Sequence, residues 1–455
     1  MGERSQQTIN TLIFENTSSW GLLRKMSIPS VVTTLVMLLY NMADVFFVGQ
    51  TGDSMQVAAV SLCAPMFSML SALGMLFGNG GGIRCAALYG EGNVKQIKNV
   101  SSFCCWGAIL TGVVISCGIL VAKMPLLKLL GASEQTVEFA GDYLGIMAFG
   151  APLMMFCQSF SSLLRADGRV KGPMYGNIIG SAINIVLDPI FILVFGWGVR
   201  GAAIATVIAN AVNFAYLLWL VKRKPDFSIN IKNIRLRWNT TGAVLLLGLP
   251  MAISALLSSF SGVLSNNILS GYGDVFLAAN GVASKLRMMI TMIGMGVCMG
   301  IQPAISYYTG ARAHEKLMGL IKSTALTNVM VGSFISVFCI LMRDPIIAIF
   351  LDDPAVIRYG RQMVLGSMVS GPIQGIYQLC TSFLQGTGNV FLATGMAICA
   401  QVVYTPTLLL CNLVSGFDGL VFASSISTLI CTLIGVAASL FCIKKLRKKK
   451  EDTTI

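Results

Sequence analysis

Long apolar runs recur along this 455-residue chain, near 26–49, 58–83, 101–122, 137–162, 173–195, 201–221, 242–268, 277–305, 324–342, 355–383, 391–412 and 417–443. Each is close to or above the roughly 20 residues that a helix needs to cross about 30 Å of hydrocarbon. The runs lack the strict apolar–polar alternation of barrel strands, and a lone backbone in lipid must satisfy its own hydrogen bonds, so they read as helices. The pattern predicts an all-α polytopic membrane protein of twelve transmembrane helices. An even number of crossings puts both termini on one side. The stretch through Trp20 is polar and mixed, and the first apolar run has no small-residue cleavage pattern after it, so no cleavable signal peptide is expected.

Composition agrees: 55% of residues are hydrophobic, only 11% are charged, and mean hydropathy is +0.76. Soluble domains carry about 25% charged residues. The formal net charge of +13 would suit nucleic acid, but its distribution encodes topology instead. Of the 32 basic residues, 24 fall on one side of the predicted membrane, in the N-terminus, alternate loops, the central connection and the tail from Lys444 to Lys450. Six face the other side (Lys123, Lys128, Arg200, Arg343, Arg358 and Arg361), and Lys285 and Arg287 lie inside a span. This bias predicts cytoplasmic termini and a multi-pass protein of the plasma (inner) membrane. The thirteen cysteines are scattered through apolar segments, as small apolar residues are, and form no zinc or disulfide pattern.

The chain repeats itself around a polar stretch near its middle. Pro29 aligns with Pro250, Ala58 with Ala279, Tyr89 with Tyr308, and Gly52-Asp53 with Gly273-Asp274. Leu164 to Val170 aligns with Leu384 to Val390, and Gly196-Trp197 with Gly416-Phe417, always at an offset near 220. Six spans separate the copies, so the halves are parallel and related by an axis along the membrane normal. The resulting organisation is an N-terminal six-helix lobe (1–221), a cytoplasmic interlobe linker (222–241), a C-terminal six-helix lobe (242–443) and a basic cytoplasmic tail (444–455). Two pseudo-symmetric lobes imply a central cavity between them.

Placing all nineteen acidic residues against these spans leaves only Asp44 and Asp188 inside apolar helices. A carboxylate there costs a few kcal/mol, and such residues mark ion and substrate pathways. Asp44 stands about 8 Å from the outer end of the first helix, at about 1.5 Å per residue. Asp188 and, on the sixth helix, Thr206 reach a similar depth. Asn41 precedes Asp44 by three residues, Asn184 precedes Asp188 by four, and Asn177 precedes Asn184 by seven. Pro189 removes a backbone donor and favours a bend. Carboxylate, amide and hydroxyl oxygens on converging helices suit a hard cation. They suit a proton relay equally, because two neighbouring carboxylates in low dielectric cannot both ionise cheaply.

The Pro29 and Tyr40-Asn41-Met42-Ala43-Asp44 segment with Gly49, the Gly90 region, Ala166-Asp167-Gly168 and Asn184-Ile185-Val186-Leu187-Asp188-Pro189 together resemble the multidrug and toxic compound extrusion (MATE) family over essentially the whole chain, and most of all its bacterial branch that extrudes cationic drugs. The resemblance implies two six-helix lobes around a central cavity that opens to alternate sides, and exchange of an organic cation for Na+ or H+. It implies a first-lobe cation site at Asp44, Asn184, Asp188 and Thr206, which would be the metal ligands if the ion is Na+. Some members carry acids in the seventh and tenth spans; here the seventh has none and the tenth offers Gln374, Tyr377 and Gln378.

The expected function is therefore a secondary active exporter that antiports amphipathic organic cations against H+ or Na+. Its ion-coupling residues are Asp44, Asp188, Asn184, Thr206 and Asn41, and Asn177, Arg287, Gln374, Tyr377 and Met288 line the substrate cavity. Arg287 either faces that cavity or, with Lys285, snorkels to the outer interface. Many of the twenty-five methionines lie in the second, fourth and eighth helices and can supply an adaptable lining. Gly78 to Gly82 reads as a hinge rather than a phosphate cradle, and no GxxxxGK[ST] loop exists for nucleotide-driven transport. The only histidine, His314, lies in a loop. No cofactor beyond the coupling ion, no nucleic-acid partner and a monomer in the lipid bilayer are expected. The alternatives are a lipid-linked oligosaccharide flippase of the same superfamily, which needs several cavity cations, and a membrane-embedded enzyme, for which no metal or nucleophile constellation is found.

Overall fold

A computed structural model describes residues 14–270, 274–350 and 354–451. Glu3, Arg4, Gly273, Asp352, Asp353, Asp452 and the end of the basic tail lie outside the described residues, within which all regular structure is helical. The first half contains α1 (Ser19–Gly49), α2 (Ser54–Gly90), α3 (Val94–Val121), α4 (Val137–Leu163), α5 (Lys171–Pro189) and α6 (Gly198–Lys222). The second contains α7 (Ala243–Ser270), α8 (Asp274–Gly310), α9 (His314–Leu341), α10a (Pro354–Met368) with α10b (Gly371–Gly386), α11 (390–415) and α12 (417–451).

Among the described residues, ten helical stretches are long and apolar enough to cross a membrane, the last being Val390–Leu446. That stretch is α11 and α12 joined at Gly416, whose φ of 55° and ψ of −130° are open to glycine and strained for other residues. The tenth predicted span, 355–383, is instead broken between α10a and α10b, because Pro372 has no N–H to donate to the Met368 carbonyl one turn earlier. Counting these gives the twelve crossings that the apolar pattern predicts.

The chain forms two compact units: residues 32–252, and residues 1–31 with 253–455. The division falls inside α1 and α7, not in the polar connection between the halves. Within the first unit, the start of α7 packs on α2 so closely that a Cβ on Gly80 would fall on the Val244 carbonyl and one on Gly248 on that of Leu76. Within the second, the start of α1 packs on α8: a Cβ on Gly300 would lie 2.6 Å from the Met26 carbonyl oxygen, and the Ser27 hydroxyl donates to the Val297 carbonyl at 3.1 Å. Gly80 and Gly300 are equivalent in the repeat, so both halves use the same close helix crossing.

Polar segments fasten each unit at the ends of these helices. The 222–241 connection lies along α3, where Ser102 donates to the Ser228 carbonyl, Trp106 Nε1 donates to Ile229 at 2.9 Å and Asn99 exchanges two bonds with the Arg235 backbone. Lys224 pairs with buried Asp167, and Tyr89 donates to Asp226. In the other unit Phe14 stacks on Tyr307, Tyr308 donates to the Phe14 carbonyl at 2.7 Å, and Lys316 donates to that of Glu15. The segment before α7 thus seals α2 and α3, while the segment before α1 seals α8 and α9.

Because backbone cannot yield at these crossings, Gly80→Ala and Gly300→Ala should each destabilise by about 1–3 kcal/mol. Gly118→Ala, where a Cβ meets open space, should be neutral or stabilising by up to about 1 kcal/mol. Thermal unfolding of the detergent-purified chain measures all three.

Candidate functional site: a buried pair of carboxylates in the first unit

Four helices of the first unit bring polar groups together inside an apolar cluster that includes Ala59, Cys63, Met66, Tyr143, Met147, Ile192 and Ala203. The α1 helix supplies Tyr40 and Asp44, α5 supplies Asn184 and Asp188, α6 supplies Thr206 and α4 supplies Tyr143. Relative exposure is 9% for Asp44, 0% for Asp188, 1% for Asn184 and 2% for Thr206. The local cause on α5 is Pro189: beyond it the chain widens into a π-turn over Ile190–Val194, in which Phe195 N–H reaches back to the Ile190 carbonyl. Asp188 is the last residue before that irregularity and points into the unit.

Asn184 is the hub of the site. Its Nδ2 donates to Asp188 Oδ1 at 3.2 Å and to Thr206 Oγ1 at 3.3 Å. The Tyr40 hydroxyl neighbours Thr206 and lies within electrostatic reach of both carboxylates, as does Tyr143. Asp44 and Asp188 themselves interact electrostatically. Three oxygens in this group are buried and have no hydrogen-bond partner: Asp44 Oδ1, Asp188 Oδ2 and Asn184 Oδ1. Among the described residues no Lys or Arg makes an ion pair with either carboxylate; Arg200, the basic residue at the start of α6, pairs with Asp142 instead.

Buried polar atoms are almost always satisfied, and a buried charge without a partner is costly. Three unsatisfied acceptors on two carboxylates and an amide therefore form a cradle for a positive species. The donor set, all hard oxygen, fits H+ or Na+. No cluster of three or more His, Cys, Asp or Glu occurs among the described residues.

Of the predicted ion-coupling residues, Asp44, Asn184, Asp188 and Thr206 come together in the structure with Tyr40 beside them, and Asn41 lies apart from them. Asn41 is exposed and its amide donates to the Met37 carbonyl of its own helix at 2.8 Å. At about 100° per residue, Asn41 and Tyr40 flank Asp44 by about 60° and 40° on opposite sides, and only the Tyr40 side faces α6. Tyr143 was legible by depth, since it stands about 9 Å into α4 at about 1.5 Å per residue. Asn177 sits in a separate polar layer of the same unit, accepting from Ser161 at 3.4 Å and Asn213 at 3.2 Å. The other cavity candidates belong to the second unit: Met288 is exposed, Gln374 and Tyr377 are half-buried on α10b, and Tyr377 neighbours Cys380, Cys399 and Cys431. Lys285 is exposed, whereas Arg287 turns into a cavity of that unit.

The MatE family model matches the chain twice, over residues 29–190 and 250–410. The chain belongs to the MatE family. The two matched segments are the two halves of the repeat, and the first contains Asp44, Asn184 and Asp188. The chain is 30% identical to the Multidrug export protein MepA of Staphylococcus saprophyticus over 92% of its own length and 93% of that protein's. It is likewise 30% identical to the MepA of Staphylococcus aureus, at the same coverage. Among solved structures, a MATE in complex with MaL6 superposes with a TM-score of 0.92 at 22% identity, covering 96% of this chain and 99% of that one. An outward-facing multidrug resistance MATE family transporter of the MOP superfamily superposes at 0.91, with 23% identity and 96% and 99% coverage. At that identity the solved structures establish the fold, that of a multi-pass helical membrane protein.

The hub and the carboxylates should differ in what they do for stability. Asn184→Leu removes both donors and should cost about 1–3 kcal/mol. Asp188→Asn keeps an acceptor for Asn184 and deletes an unpaired charge, so it should leave the thermal midpoint unchanged or raise it. Parallel melts of the two purified variants at neutral pH check the ordering.

Proposed function

We propose that this chain is a secondary active multidrug exporter that antiports amphipathic organic cations against H+ or Na+ by alternating access. The observation that carries the reading is the set of orphaned oxygens on Asp44, Asp188 and Asn184, in a lobe that offers them no internal cation. The name of the staphylococcal relatives, multidrug export protein, supports the export of drugs. The biased basic charge supports a location in the cell membrane with both termini in the cytoplasm.

In this reading the two carboxylates hold one positive species at a time at low cost. An incoming H+ or Na+ neutralises the pair, satisfies the free oxygens and lets α1, α5 and α6 pack around them. An organic cation is attracted to the same negative charge when the ion has left. Ion and drug therefore favour different states, and the ion gradient drives the drug outward, with each ligand shifting the equilibrium only by its differential affinity. Asn184 and Thr206 orient the Asp188 carboxylate, and Tyr40 of α1 neighbours Thr206 of α6.

Dye efflux from proteoliposomes under an imposed Na+ gradient or an imposed pH gradient tests the proposal. One of the two gradients should drive export, and Asp44→Asn and Asp188→Asn should each reduce gradient-driven efflux to the level of protein-free vesicles. Intact efflux in both variants would refute it.

A further inference from the structure

The second unit contains a cavity lined by Ser265, Asn280, Arg287, Ser367, Tyr404 and Ser424, from α7, α8, α10a, α11 and α12. Its place in the fold is telling. At the repeat offset of 220–221, Asp44 corresponds to Ser265, Asn184 to Tyr404, Asp188 to Leu408 and Tyr143 to Met363. All four counterparts line this cavity. It is the duplicate of the carboxylate site, with both acids replaced by a hydroxyl and an alkyl group. The arginine that enters it stands, at an offset of 220, where the first unit has Phe67, whose ring packs edge-on against Tyr143.

Reversing the residues reverses the electrostatics. Arg287 is half-buried at mid-helix, and among the described residues its guanidinium makes one long contact, Nη2 to Ser284 Oγ at 3.4 Å. No described carboxylate lines the cavity or pairs with Arg287. A guanidinium carries five N–H donors and cannot shed its charge in a protein. Among the described residues the other donors of that guanidinium have no protein partner, and a cation in an apolar lobe is costly without one. Tyr404 Oη donates to Ser265 Oγ at 3.2 Å, which leaves the hydroxyls of Ser265, Ser367 and Ser424 and the Asn280 amide able to donate into the cavity. Space open to the centre of a water molecule amounts to about 20 Å³, against the roughly 10–15 Å³ that one water requires. That space matches a water molecule or a monatomic ion.

We propose that this cavity is a halide site, in which Arg287 and the hydroxyls of Ser265 and Ser424 hold one chloride-sized anion. The two halves of the transporter fold then carry ion sites of opposite sign at equivalent positions. The inference does not rest on the export reading, because anion binding to the second unit is measured without transport.

The test is ³⁵Cl NMR line broadening on the full-length chain, purified in detergent and titrated with chloride against a gluconate background at constant ionic strength. A saturable broadening that bromide displaces is expected. Arg287→Gln should weaken it at least tenfold, Arg287→Lys should retain part of it, and Lys285→Gln, which removes the same charge from an exposed position two residues away, should leave it intact. Ser424→Ala, a mild change, should weaken binding several-fold and serves if Arg287→Gln does not fold. Broadening that does not saturate, or that Lys285→Gln reduces as much as Arg287→Gln does, overturns the site.

Discussion

Two carboxylates without a cation, held in a lobe made of apolar helices, are the constraint around which the first half of this protein is arranged. Removing charge from water costs several kcal/mol per ion unless a partner repays it. The fold does not supply that partner. It supplies an amide that orients one carboxylate, a threonine that accepts from the amide and neighbours the Tyr40 hydroxyl, and walls of Ala, Met and Ile. Such an arrangement leaves three buried oxygens without a donor among the described residues, and a positive species bound there would satisfy them.

The helices around it are tied in an unequal way. Within α1, the residues before 32 belong to one compact unit and Tyr40 and Asp44 to the other. The start of α7 is shared out in the mirrored sense, and each start is wedged against a glycine of a long helix, Gly300 or Gly80. Ser27 and the backbones of Phe14 and Glu15 hold the start of α1 and the segment before it to α8 and α9 within their own unit. Pro29 and Pro250, inside α1 and α7 close to where the units divide, are natural places for such helices to bend.

Much of this was legible in the sequence, for reasons that differ by feature. The twelve crossings follow from apolar length, since a bilayer permits little else. The carboxylates stand out because charge is rare in such helices, and depth alone groups them with Asn184 and Thr206. Asn41 and Tyr40 could not be separated that way: both flank Asp44, and the choice depends on which side α6 occupies. The break at Pro372 and the bend at Gly416 were hidden because hydropathy averages over them. The docking of the 222–241 segment on α3 was hidden by its polarity, which reads as a linker until its partners are known. The fate of Arg287 was an open choice between cavity and interface, decided only by how α7, α10a, α11 and α12 close around it.

The repeat itself is most informative where it fails. Position for position the halves share proline, glycine and helix crossings, while Asp44 and Asp188 are answered by Ser265 and Leu408 and Phe67 by Arg287. The central claim is that drug and coupling ion contend for the free oxygens of Asp44, Asp188 and Asn184. It is tested most directly by adding a cationic drug to the purified, weakly buffered protein and measuring released H+ with an indicator dye and released ²²Na+ by filtration. The account predicts release of one of these ions in proportion to drug bound, and none from the Asp44→Asn, Asp188→Asn double variant. Saturating drug binding with neither ion released would contradict it.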